Sequence, residues 1–169
     1  MKIAITDACI FIDLYELTLT NQLFGLNLEV HTSLDVFNEL YPQQKELLKA
    51  FQSVGKLIVH NISGDERVEI AQQSYPKSLS NSDKTVLFLA QKHVAIVLSS
   101  DKQVRYNAKI RAIEYHGMFW IFDNLLKAGL ITKAEAIEKL KLLIEKNIVY
   151  QNNAELLHEM NKRITTWSK

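Results

Sequence analysis

Five consecutive apolar residues, Val94-Ala95-Ile96-Val97-Leu98, run straight into Ser99-Ser100-Asp101. The run is too short for a core helix and too uniformly apolar for a strand with one wet face. Strands apolar on both sides belong to parallel sheets covered by helices above and below. Ile3-Ala4-Ile5 reads the same way and also leads to an acid, Asp7. Leu28 to Thr32 and Leu57-Ile58-Val59 are two further short strand candidates. In open α/β sheets, ligands bind beyond the carboxyl ends of the strands. Two strands therefore deliver carboxylates to the edge where such sheets do chemistry.

The stretches between the strands read as helices. Ala8 to Leu17 places Ile10, Leu14 and Leu17 on one side, with Asp7 at the N-terminus, where free amides favour a carboxylate. Ser33 caps a short helix that carries Val36, Phe37, Glu39 and Leu40. Pro42 suits the first turn of the next, which runs to Gly55. Gly64 to Gln73 is helical, and Ser80, Asn81 or Ser82 caps an apolar helix with Asp83 in its first turn. A basic helix with Lys102, Arg105, Lys109 and Arg111 follows Asp101, and Gly117 breaks it. A helix closing at Gly129 and the capping box Thr132–Glu135 make a helical hairpin. Asn152 or Asn153 starts the last helix. The alternation predicts an α/β fold, a short parallel sheet flanked by helices, with a C-terminal helical extension. The expected division is a domain over 1–147, with the hairpin 118–146 packed on it, and a helical tail over 148–169.

Net charge is +1, so nucleic-acid contact requires a local basic cluster rather than a general field. Cys9 is the only cysteine, which excludes an intrachain disulfide and fits a reducing, cytoplasmic compartment. No apolar run reaches membrane-spanning length. The glycines are solitary, so there is neither a P-loop nor a dinucleotide fingerprint. His31, His60, His93, His116 and His158 are scattered without zinc-ligand spacing, and read as surface or boundary residues.

Taken singly, each acid has an ordinary explanation: Asp83 and Asp101 as helix caps, Glu39 as an exposed helix acid. Their order says more. Ile5-Thr6-Asp7, Phe37-Asn38-Glu39-Leu40, Leu79-Ser80-Asn81-Ser82-Asp83 and Leu98-Ser99-Ser100-Asp101 follow one another through residues 1 to about 115. In this the chain resembles the PIN-domain family of metal-dependent ribonucleases, and within it the VapC-type toxins. The resemblance implies a three-layer PIN-like fold and an endoribonuclease of the cytoplasm. It implies that Asp7, Glu39, Asp83 and Asp101 are the catalytic acids that hold Mg²⁺ or Mn²⁺, with Asp7, Asp83 and Asp101 as direct ligands. Ser99 takes the hydroxyl position before the last Asp.

Lys102, Arg105 and Lys109 are the residues placed to meet RNA, Arg105 and Lys109 sharing a helix face at i, i+4. The expected partners are RNA, a cognate antitoxin protein and a second copy of the chain. Two departures stand out. Ala8 and Cys9 follow the first Asp where the family often has a small polar residue, which removes the usual source of a hydrogen bond there. Lys102-Gln103-Val104 follows the last Asp where many members have another acid or amide, which weakens the case for a second metal. A phosphatase with a strand-end Asp needs a second Asp at position 9, which is Cys9. The alternative kept open is a PIN-like module that binds without turnover.

Overall fold

The apolar runs become strands of one sheet in the computed structural model, which describes residues 1–169. The strands are β1 (Lys2–Thr6), β2 (Leu28–Ser33), β3 (Leu57–His60), β4 (Ile96–Leu98) and β5 (Tyr115–His116). They pair in parallel in the order β3-β2-β1-β4-β5. The chain builds outward from β1 to β3, then crosses back to lay β4 on the other side of β1. The order thus reverses at β1 and β4, and Thr6 pairs opposite Leu98 at their carboxyl ends. That junction is where open α/β sheets take ligands.

The helices are α1 (Ala8–Glu16), α2 (Thr20–Leu23), α3 (Leu34–Glu39), α4 (Pro42–Ser53), α5 (Gly64–Gln72), α6 (Asn81–His93), α7 (Lys102–Ile110), α8 (Met118–Lys127), α9 (Lys133–Lys146), α10 (Ile148–Gln151) and α11 (Ala154–Trp167). With the helix-flanked parallel sheet they give the expected three-layer α/β fold. The chain divides into two compact units, residues 1–12 with 27–118, and residues 13–26 with 119–169.

The first unit holds the sheet. Its central strands are apolar on both faces because helices cover them: Ala4, Ile5, Val97 and Leu98 are fully buried. Helix α6 packs on β1, β2 and β4, burying Val86, Leu87 and Leu89. Each such side chain contributes about 1.5–3 kcal/mol through removal of apolar surface from water.

The second unit is helical. Phe122, Leu125, Leu140 and Met160 lie in its core. Arg163 of α11 grips both carboxylate oxygens of Asp123 on α8, at 3.2 and 3.0 Å, while lying over the Phe119 ring. No helix of either unit is long and apolar enough to cross a membrane.

Three local expectations fail for identifiable reasons. The run from Val94 to Leu98 is not all strand: Val94 ends α6 in the left-handed conformation, φ +51°, with its side chain exposed. The N–H of Ala95 reaches back to the Ala90 carbonyl at 2.9 Å, so the helix end claims both residues before β4 begins. Strand β5 and helices α2 and α10 are only two to four residues long and carry no period to read. The histidines are not all scattered. His31, His60 and His93 gather on β2, β3 and the end of α6 with ring centroids 4.7–5.8 Å apart. Burial, then the neighbouring His31, His93 and Lys92, pushes His60 down to about 4.

Candidate functional site

Asp7 stands where β1 stops. Its N–H donates to the Leu98 carbonyl at 3.1 Å, so pairing with β4 extends one residue and fixes the carboxyl between two strand ends. The residue is 4% exposed. Oδ1 accepts from the Cys9 thiol at 2.8 Å and from the Ile10 N–H at 3.3 Å, in the first turn of α1. Oδ2 accepts from the buried Ser99 hydroxyl. No lysine, arginine or histidine pairs with it. Burial dominates its titration. The three hydrogen bonds pull the pKa down, the charge of Asp83 pushes it further up, and the outcome is about 7. A carboxyl without a cation in a low-dielectric pocket behaves this way.

Ser99 connects the first acid to the last. Its Oγ also accepts from the Asp101 N–H at 3.0 Å. Asp101 caps α7, its Oδ1 accepting from the N–H groups of Gln103 and Val104 at 2.8 and 3.0 Å. Asp7, Ser99 and Asp101 are thus one bonded group.

Glu39 and Asp83 belong to a second group. Asp83 closes the capping box of α6, with Oδ2 accepting from the Ser80 N–H at 2.9 Å and its own N–H donating to Ser80 Oγ at 3.1 Å. Ser82, one residue earlier, donates to Glu39 Oε1 at 2.5 Å. Thr85 donates to Ser33 Oγ at 2.7 Å, tying the same turn of α6 to the cap of α3. Asp83 acts on Asp7 through its charge and not through a contact. The four acids do not close into one cage: no three His, Cys, Asp or Glu side chains stand close enough together to hold an ion.

The chemistry of the donors nevertheless suits a hard cation. All are carboxylate oxygens, and none of the four acids is in an ion pair. Each capping acid commits one oxygen. Asp83 Oδ1, Asp101 Oδ2 and Glu39 Oε2 accept no hydrogen bond from the protein. Hard divalent cations take such oxygen ligands and keep several waters, so a partial set of carboxylates can serve.

The basic residues divide. Lys102 and Lys109 are exposed on α7 and make no ion pair. Arg105 instead folds back: Nη1 donates to the Ser99 carbonyl at 3.3 Å, and the guanidinium lies 5.2 Å from the Tyr115 ring centroid. Gly117 makes room for it, since a Cβ there would stand 2.4 Å from Nη1. Arg105 thus buttresses the Ser99 turn, while Lys109 on the same helix face stays free.

Cys9 is the residue that reading the chain undervalues. It supplies the hydrogen bond to Asp7 that a small polar neighbour would give, and accepts from the Ser100 N–H at 3.2 Å. Burial, then the charge of Asp7, holds its thiol well above the usual range, so it acts as a neutral donor. The only signal in the sequence was its position two residues after Asp7.

A family model described as a PIN domain matches residues 3–164. No curated protein matches the chain.

Proposed function

This chain belongs to the PIN-domain family, whose fold is nuclease-like, and from that premise we propose that it is a divalent-metal-dependent endoribonuclease. One observation carries the reading: a carboxyl at the switch point of the sheet is buried with no cationic partner and sits in the field of a second acid. Uncompensated buried charge is costly, and clusters of this kind mark functional sites.

In this reading Asp7, Asp83 and Asp101 hold Mg²⁺ or Mn²⁺, with Glu39 completing the acidic set. The bound ion supplies charge neutralisation on the phosphoryl oxygens and a more acidic water. The protein's own residues do the positioning. Ser99 and Cys9 orient the two oxygens of Asp7. The α7 cap aims Asp101, leaving Oδ2 outward. Arg105 steadies the turn through the Ser99 carbonyl. Lys102, at the first position of α7, is the free cation that meets the RNA backbone. The role as toxin, with an antitoxin partner and a cytoplasmic setting, rests on the family resemblance. So does the homodimer.

One observation favours a second reading, a PIN-like module that binds RNA or protein without cutting. The acids form two bonded groups rather than one cage. An RNA cleavage assay separates the two. An endoribonuclease cuts single-stranded RNA with Mg²⁺ or Mn²⁺, is silent in EDTA, and loses cleavage in Asp7→Asn with the fold intact. Binding without cleavage under every metal condition rejects the enzyme.

A further inference from the structure

Helix α7 keeps one side in the core and one in water. Val104, Asn107 and Ala108 are buried where the helix packs toward α6 and β5. With about 3.6 residues to a turn, the opposite side is centred on Tyr106, with Lys102 and Lys109 on one flank and Ile110 on the other. All four are exposed, Tyr106 and Ile110 at 61% each. The solvent side of such a helix is ordinarily polar, so a large aromatic at its centre is the informative departure. The Tyr106 ring stacks on no other ring and meets no cation, and its hydroxyl bonds nothing in the protein.

Resting on the reading of the acidic site as a ribonuclease centre, we propose that Tyr106 is a stacking platform for an unpaired base of single-stranded RNA. Lys102 and Lys109 hold the phosphates on either side of that base. Charge is the first reason. Residues 102–111 carry four cations, Lys102, Arg105, Lys109 and Arg111, and no acid, in a chain whose net charge is +1. Arg105 is committed to the Ser99 carbonyl and the Tyr115 ring, and Arg111 to Gln73, Ser74 and the Tyr75 ring. The two cations left without an ion pair are the two that flank Tyr106. A free ring between free cations suits single-stranded nucleic acid: the cations follow the phosphates and a base lies on the ring. A second copy meeting this face with its own α7 sets lysine against lysine.

Position is the second reason. Helix α7 opens at Asp101, and Tyr106 comes five residues later, about 7.5 Å along the axis. Stacked bases are spaced by about 3.4 Å. The base on Tyr106 therefore belongs to a nucleotide one or two steps from the phosphate beside Asp101. A strand laid along α7 meets cation, ring and cation in order, over about 10.5 Å from Lys102 to Lys109. Paired RNA keeps its base faces inside the duplex, so the platform selects unpaired substrate.

Fluorescence anisotropy of a labelled single-stranded RNA tests this, using the full chain with Asp7→Asn so that the strand is not cut. Adding Tyr106→Ala should weaken binding about 5–100-fold, whereas Tyr106→Phe and Tyr106→Trp keep it within about twofold. Melting should not change, because the residue is exposed. An abasic nucleotide moved along the strand gives a readout that a structural role leaves alone. At one position the missing base should cost the Tyr106 protein about 5–100-fold and the Tyr106→Ala protein nothing. Lys109→Ala should lower the slope of log Kd against log salt by about 0.7. Fully paired RNA should bind the Tyr106 and Tyr106→Ala proteins alike. Equal single-strand affinity with and without the ring, or an abasic penalty that persists in Tyr106→Ala, overturns the proposal. So does a Tyr106→Ala that alters sedimentation of the protein and leaves RNA affinity alone, which makes the face a protein contact. Tyr106-dependent binding by a chain that cuts RNA under no metal condition keeps the platform and rejects the nuclease; cleavage with Tyr106-independent binding does the reverse.

Discussion

Replacing Asp7 by asparagine isolates the cost of the buried carboxylate. Asparagine keeps the shape and can still accept from Ile10 and Cys9, while its amide faces Ser99, whose oxygen is able to accept. What disappears is the charge. Unfolded Asp titrates near ~3.9, and in the folded protein Asp7 titrates at about 7. Between those values the folded protein holds a proton that the unfolded chain has lost, so stability falls as pH rises. The contribution is complete below about pH 4 and gone above about pH 7. Three pKa units correspond to about 4 kcal/mol as a ceiling, of which about 2–3 kcal/mol falls between pH 5 and pH 8. Asp7 is 4% exposed, so solvent screening takes little from this figure. Asp13, in the second unit, is raised to about 6 by burial and adds a slope of the same sign to both proteins.

Urea unfolding in EDTA at pH 5 and pH 8 reads the difference. Wild type should lose about 2–3 kcal/mol more than Asp7→Asn over that interval, and the variant should be the more stable protein at pH 8. Parallel pH profiles for the two would refute the claim that Asp7 is a strained, unpaired buried acid.

Other outcomes follow from the same geometry. Mg²⁺ or Mn²⁺ should raise the melting temperature of wild type at pH 8, by about 2.7 kcal/mol of stabilisation at a hundredfold excess over Kd, and Asp7→Asn should show little of this in calorimetry. Asp101 has two roles that two substitutions separate. Asp101→Ala should cost about 0.5–2 kcal/mol through the lost cap of α7, whereas Asp101→Asn should keep stability and lose cleavage; full cleavage by a stable Asp101→Asn would make Asp101 only a cap. Lys102→Ala should weaken RNA binding at every sequence and reduce the salt dependence of log Kd by about one phosphate contact, with melting unchanged; an unaltered salt slope removes Lys102 from the interface. Gly117→Ala should displace Arg105 from the Ser99 carbonyl and lower cleavage more than stability, a split that paired activity and melting measurements read.

The parts of this account legible in the chain are those set by local chemistry. Ile3-Ala4-Ile5 is apolar on both faces because helices cover both faces, and that pattern alone puts Asp7 at a strand end. Thr132 with Glu135 is a capping box whose spacing is local, and it forms as read, while of the three candidate caps of α6 it is Ser80 that forms the box, with Asp83. What stayed hidden depends on contacts between distant residues. His31, His60 and His93 are tens of residues apart, and only the β2-β3 pairing and the end of α6 bring them together. Arg105 reads as a free cation on a helix face. It is drawn inward because Gly117 leaves a gap and Tyr115 a ring, both on the chain beyond α7. Cys9 reads as a departure from a polar pattern, yet a buried thiol donates to a carboxylate well enough to fill that place. Val94 reads as strand because a β-branched residue seldom ends a helix in the left-handed region, yet here it does so at φ +51°.

A crystal soaked in Mn²⁺ measures the central claim directly, through anomalous difference density. The account predicts a peak within coordinating reach of Asp7 and Asp83 oxygens, at the carboxyl ends of β1 and β4, that vanishes in Asp7→Asn. No manganese density beside Asp7, at saturating Mn²⁺ and pH 8, would contradict it.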